Sequence, residues 1–143
     1  MRIHPRITAY VMRGLEHEFN TVQQFQTRAA LAELWSETEL AESYRHKAIH
    51  ALSHVERLTQ TLFLMGVAPN SFTVGAVRPG QNPAEMQALS IAQLQQTVHL
   101  YDDACQFCLR IRDAEHHALF QSFLDEALKH YWQELQTQAA QAI

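Results

Sequence analysis

Apolar residues recur along most of this chain at alternating spacings of three and four, the pattern that keeps one stripe of a helix against its neighbours. The first helix is predicted from about residue 5 to 35, with Pro5 in the tolerated first turn and a seam of Val11, Leu15, Glu18, Val22, Phe25 and Ala29. Glu18 stands where an apolar residue belongs. Ser36-Glu37-Thr38-Glu39 reads as a capping box for a second helix over about 37–65, whose seam is Tyr44, Ala48, Ala51, Val55, Leu58, Leu62 and Met65. Asn82-Pro83-Ala84-Glu85 combines an Asn cap, a first-turn Pro and a Glu, and starts a third helix over about 83–111 with the seam Ile91, Leu94, Val98, Tyr101, Cys105 and Cys108. Asp113 is the expected cap of a fourth, about 114–140, with the seam His116, Phe120, Phe123, Ala127, His130 and Glu134. No strand-like alternation competes.

Gly66, Pro69, Gly75, Pro79, Gly80 and Pro83 fall together, which marks about 66–82 as the one long connection. Helices of ~28 residues are ~42 Å long, so a connection of this size between two helical hairpins has to run the length of the bundle. The expected architecture is all-α: a single domain over 1–143, built as a four-helix bundle of two antiparallel hairpins with a crossover between helices 2 and 3. Phe72, Val74 and Val77 are apolar anchors that should hold the crossover against the bundle.

At 143 residues and 47% hydrophobic, the chain can bury one sizeable core. A formal net charge of -4 supplies no basic field, which argues against nucleic acid. The Met1-Arg2-Ile3-His4-Pro5 start has no apolar leader and Leu62 to Ala68 is far too short to span a bilayer, so no membrane role and a cytoplasmic location are expected. Two cysteines make no disulfide framework. Cys105-Gln106-Phe107-Cys108 lies inside a helix without a βαβ context and reads as a pair of core thiols.

A two-metal site in a helix bundle needs a Glu from each of two helices and a Glu-x-x-His pair from each of the other two. Here Glu18 meets the first requirement, while Ala51-Leu52-Ser53-His54 and Ala127-Leu128-Lys129-His130 keep the His and have Ala in place of the Glu. Through the Glu18 segment, Leu58 to Asn70 with its Phe63-Leu64-Met65-Gly66-Val67-Ala68-Pro69-Asn70 ending, Met86 to Cys108, and the last helix through His130 and Trp132, the chain resembles the bacterioferritin branch of the ferritin-like proteins. The resemblance implies that Glu18, His54 and His130 fall on metal-ligand positions, whereas Ala51, Leu94 and Ala127 replace carboxylates. It also implies that Phe25 stands where the family has a Tyr near the metals. Leu52 matches a haem-ligating Met, which argues against haem. The chain stops near the end of the fourth helix without the family's fifth, so a 24-subunit cage is in doubt and an antiparallel dimer through the first two helices is expected.

With Glu18 alone, two divalent ions would leave about three positive charges uncompensated in a core. Three arrangements stay open. Glu18 and His54 can form a hydrogen-bonded pair without metal, with His130 satisfied by water or Tyr101. One ion, iron or another divalent metal, can sit on Glu18, His54 and His130 as a two-His, one-carboxylate site. A one-residue shift would offer His50, Gln93 and Glu126 instead, at the cost of His54 and His130. His46, His50 and His54, four residues apart, are also placed for an i,i+4 metal clip. His116-His117 reads as a helix-start pair, and Met65, Met86, Trp35 and Trp132 as packing residues. The functions that follow are an iron-storing or iron-handling relative of bacterioferritin without normal ferroxidase activity, a non-catalytic dimeric scaffold or protein-interaction module that kept only the fold, or a mononuclear non-haem metal enzyme.

Overall fold

The computed structural model describes residues 3–73 and 75–141. Four helices follow one another: α1 (Pro5–Leu34), α2 (Thr38–Leu64), α3 (Pro83–Arg110) and α4 (Ala114–Gln141). Each bound lies within a residue of its expected place, because the signals that set them act locally. Pro5 and Pro83 occupy first-turn positions, and the Asn82 side chain accepts from Glu85 N at 2.9 Å. Asp113 Oδ1 accepts from His116 N at 3.0 Å. None of the helices among the described residues is long and apolar enough to cross a membrane.

The capping box at Ser36 does not form, and the reason lies in how α1 ends. Ser36 takes φ 62, in the left-handed region, with Ser36 N bonding Glu33 O and Glu37 N bonding Ala32 O. Ser36 thus closes α1 in a Schellman turn, so it cannot also cap α2; Glu37 stands at that cap without a side-chain bond. The same turn closes α2 at Gly66 and α3 at Arg112, which has φ 58. Both hairpins are therefore turned by three residues, 35–37 and 111–113.

Along its length α1 packs on α2, and α3 on α4, with α1 also touching α3. Two apolar clusters fill the interior. One joins Val11, Leu15, Leu58, Leu62, Tyr101, Phe120 and Phe123; the other joins Phe25, Ala29, Tyr44, Met86 and Leu94. Cys105 and Cys108 are buried in the first, and burial pushes both thiols up to about 11, the state of packing residues and not of nucleophiles. Trp35 packs on the second, but Trp132 is 59% exposed, a departure from its expected packing role. It lies on the outer face of α4, with the Tyr131 ring tilted against it at 5.5 Å.

The crossover runs beside α1 in the same direction. Asn70 N meets Met12 Sδ, Gly75 N donates to Asn20 Oδ1 at 2.9 Å, and Gln24 Nε2 donates to Ala76 O at 2.9 Å. Phe72 packs on Phe19, and Val77 is half-buried; Val74 lies outside the described residues. The buried Arg28 guanidinium closes the strap. It donates to Arg78 O, to Gln93 Oε1 at 2.7 Å and to Ser90 Oγ, joining the crossover to α1 and α3 at once. Gly80 then turns the chain at φ 91; a Cβ there would lie 2.8 Å from Met86 N, so the entry into α3 has room only for glycine.

Candidate metal centre

Midway along the bundle the seams of the four helices bring polar side chains together. Glu18 is 2% exposed on α1, and Tyr101 Oη on α3 donates to its Oε1 at 2.6 Å. Gly14, one turn earlier on α1, lets the Tyr101 ring pass: a Cβ at this position would already touch Tyr101 Cε1 at 3.4 Å. His54 on α2 bonds the same Glu18 oxygen through Nδ1 at 3.3 Å and turns its Nε2 to the Glu126 carboxylate on α4. Tyr101, Glu18, His54 and Glu126 thus form one hydrogen-bonded chain across the bundle. Burial opposes charge on His54, but the hydrogen bonds and negative fields of Glu18 and Glu126 outweigh it and raise its pKa. Burial and the Glu18 carboxylate push the Tyr101 phenol well above its ordinary value, so it serves as a fixed donor.

Glu126 has a second histidine partner. His50 Nδ1 lies 2.5 Å from its Oε1, and the His50 and His130 rings meet edge to face at 5.3 Å. One ligand atom from each of His50, Glu126 and His130 lies within 4.8 Å of the other two. Donors bound at ~2.1 Å to one ion stand at most ~4.2 Å apart, so these side chains need only a small inward rotation to close on a divalent cation. Two imidazoles and a carboxylate are suitable donors for iron, zinc or cobalt. Burial, with the Lys47 ammonium next in effect, holds His130 down at about 4, which leaves its imidazole neutral at pH 7.

Of the sequence-derived candidates, Glu18 and His54 meet each other, while His130 joins His50 and Glu126. Tyr101, weighed as a partner for His130, bonds Glu18 instead. No helix shift is needed to bring His50 and Glu126 in. His50 and His54 are four apart on α2, Glu126 and His130 are four apart on α4, and the two pairs face each other through unbroken helices. Gln93 stays out of the cluster: its Oε1 accepts from Arg28 and its Nε2 donates to Thr21. His46 is exposed and stands apart from the trio. His116 bonds Asp113 at the start of α4, in keeping with a helix-start role.

Ala51, Leu94 and Ala127 line a cavity of about 30 Å³ with Glu18, His54, Glu126, His130 and Lys47. At the three positions where the resemblance implies carboxylates, the side chains lining this space carry no oxygen ligand. The space suits a water molecule or one small ion. Two charged residues escaped the sequence reading. Arg28 clamps the crossover, and Lys47, 6% exposed, pairs with the buried Glu134 at 3.0 Å. The signal for the latter was present, since Glu134 on the fourth-helix seam requires a counterion.

The ferritin-like domain family matches residues 9–141, so the chain belongs to the ferritin-like domain family. Within it the similarity is to bacterioferritins. The Rhodobacter capsulatus bacterioferritin is 20% identical over 130 residues, covering 91% of this chain and 81% of that one. The Brucella melitensis bacterioferritin is 24% identical over the same shares. A solved structure of the Rhodobacter capsulatus protein, described as having a metal-free dinuclear site and a haem iron in a crystallographic special position, superposes with a TM-score of 0.92 at 18% identity, over 98% of this chain and 88% of that one. That likeness establishes the bundle and crossover.

Proposed function

We propose that this chain is an iron-handling, bacterioferritin-like protein that holds one divalent ion on His50, Glu126 and His130 and lacks a two-metal ferroxidase centre. The observation that carries this reading is the convergence of those three side chains from facing helices beside a small cavity in which Ala51, Leu94 and Ala127 stand where the resemblance expects carboxylates. Family membership supplies iron as the metal of choice. An ion there would contribute Lewis acidity and, if iron, one-electron redox capacity. The chain's own residues then do the rest. His54 donates to Glu126 and fixes the orientation of its carboxylate, Glu18 and Tyr101 in turn fix His54, and neutral His130 offers its lone pair.

Leu52 at the resemblance's haem position supports a haem-free protein. Ile49, Leu52 and Phe63 leave 64%, 56% and 63% of their surface exposed along one side of α2, which supports a homodimer closed through the outer face of the first hairpin. A cytoplasmic site of action belongs to the same reading. The metal-free scaffold is the second reading, favoured by the way Glu126, His50 and His54 already satisfy one another without an ion. Anaerobic Fe(II) titration followed by admission of oxygen separates the two. The proposal expects one Fe(II) bound per chain without rapid paired oxidation; two irons oxidised together, or none bound, would sink it.

A further inference from the structure

The helices that pack closely on one another are α1 with α2, α3 with α4 and, over a shorter stretch, α1 with α3; α2 and α4 stand further apart. Where the last turns of α2 face the first turns of α4, at the end of the bundle, the gap widens into a cavity of about 940 Å³ whose lining includes none of His50, Glu126 and His130. Its floor is apolar, because Ile3, Met65 and Leu119 are partly buried there against the first core cluster. At its mouth Leu64 is 87% exposed and Ile111 36%. The inner end carries a cation. Arg57 on α2 donates to Ser122 Oγ on α4 at 3.3 Å and lays its guanidinium over the Phe123 ring at 4.7 Å, which fixes the group and leaves most of its five N–H donors for a ligand.

Most of the other ionisable groups in the lining are already engaged. Asp113 has both oxygens on His116, Oδ1 on its backbone N–H at 3.0 Å and Oδ2 on its ring at 2.7 Å, and His4 Nδ1 accepts from Arg6 N at 3.1 Å. Neither Arg57 nor Arg112 has a carboxylate partner among the described residues. Arg112 and Glu115, both exposed, lie three residues apart at the outer end, where opposite charges largely offset in solvent, so the uncompensated cation of the cavity is Arg57. We propose that this cavity binds a medium-chain aliphatic carboxylate, with its head group on the Arg57 guanidinium and its chain along Leu119 and Met65 toward Leu64. The volume is that of clefts that hold small organic molecules, and far more than an inorganic anion fills. A guanidinium fork matches a planar carboxylate through two parallel bonds. Arg57 and Leu64 are seven residues apart on α2, about 10 Å, which sets the length of chain that reaches from the cation to the mouth.

Calorimetric titration of the full-length, metal-free protein with octanoate tests this, with octanol and inorganic phosphate as probes that carry only the chain or only the charge. Octanoate should bind saturably at one per chain and at least about tenfold more tightly than either control, since a bond to a charged group and the burial of the chain then act together. The amide resonances that shift should be those of residues 57–65 and 111–119. Arg57→Met, which keeps the aliphatic packing on Phe123, should weaken octanoate about tenfold or more. Arg57→Lys, which keeps the charge and loses the fork, should give a smaller loss in the same direction and serves should the methionine variant not fold. Leu64→Gln, at a site too exposed to disturb folding, should weaken octanoate and leave butyrate unchanged. Binding that does not saturate, equal affinity for octanol, or shifts centred on Ile49 and Leu52 of α2 would overturn the site. Loss on Arg112→Gln with none on Arg57→Met would overturn the placing of the head group.

Discussion

His54 Nε2 on α2 donates to the Glu126 carboxylate on α4, and this contact moves the centre of the polar cluster away from Glu18 and toward the α2–α4 interface. In the proposed one-ion site, Glu18 and His54, two of the three residues on metal-ligand positions by resemblance, act as supports. Replacing Glu126 by Ala should weaken Co(II) binding more than about a hundredfold, whereas Glu18→Gln, acting through His54, should cost roughly 10–100-fold, as outer-shell partners of metal ligands do. Competition titrations against a calibrated chelator give both numbers, and equal losses would return Glu18 to the metal.

Tyr101→Phe removes the donor to Glu18 at the core of the bundle and leaves a buried carboxylate with only His54. Loss of one partner from a buried charged acceptor costs about 1–3 kcal/mol. Urea unfolding of the metal-free protein should show that loss with an unchanged m-value; a neutral substitution would mean that Glu18 is solvated.

Arg28→Met keeps the aliphatic bulk beside Phe25 while removing every bond from the guanidinium to Arg78 O, Ser90 and Gln93. The crossover would then be held by Gln24 and Asn20 alone at its far half. Native-state hydrogen exchange should accelerate at residues 75–80 by at least about tenfold while the helix cores stay protected. Uniform acceleration would point to global destabilisation and not to a local clamp.

Asp113 supplies the acid sensitivity of the second hairpin. Burial would raise its carboxyl pKa, but the backbone and side-chain bonds from His116 outweigh that and lower it. A carboxylate with a depressed folded pKa contributes stability above the unfolded value of about 3.9, and that contribution is lost as pH falls through the folded pKa. Asp113→Asn should keep the cap near neutral pH and flatten this acid limb, while Asp113→Ala should cost about 1 kcal/mol at pH 7. Thermal melts of the three proteins between acid and neutral pH check both.

The fold was legible because its determinants are local: the three-and-four spacing of apolar residues, Pro5, Pro83 and Asn82 at helix starts, and one cluster of Gly and Pro for the crossover. Ser36 shows the limit of that reading. Its sequence context fits a cap for α2, but the three-residue turn uses it to close α1, and only the geometry of the turn decides between two local roles. In the site, Glu18, His54 and His130 stood out against the apolar seams, yet which of them meet depends on how α2 and α4 rotate against each other. Glu126 was visible only as the product of a register shift. The shift is unnecessary because a Glu four residues before a His shares its face as well as one three residues before does. Lys47 and Arg28 were hidden for a related reason: a charged residue next to a seam is ordinarily solvated, and its burial follows from a partner on another helix.

The most direct test of a single displaced metal centre is an anomalous difference map from crystals soaked in Co(II). A single centre on the trio gives one strong peak per chain, bounded by His50, Glu126 and His130. Two peaks flanking Glu18 and His54, or none in the bundle, would contradict it.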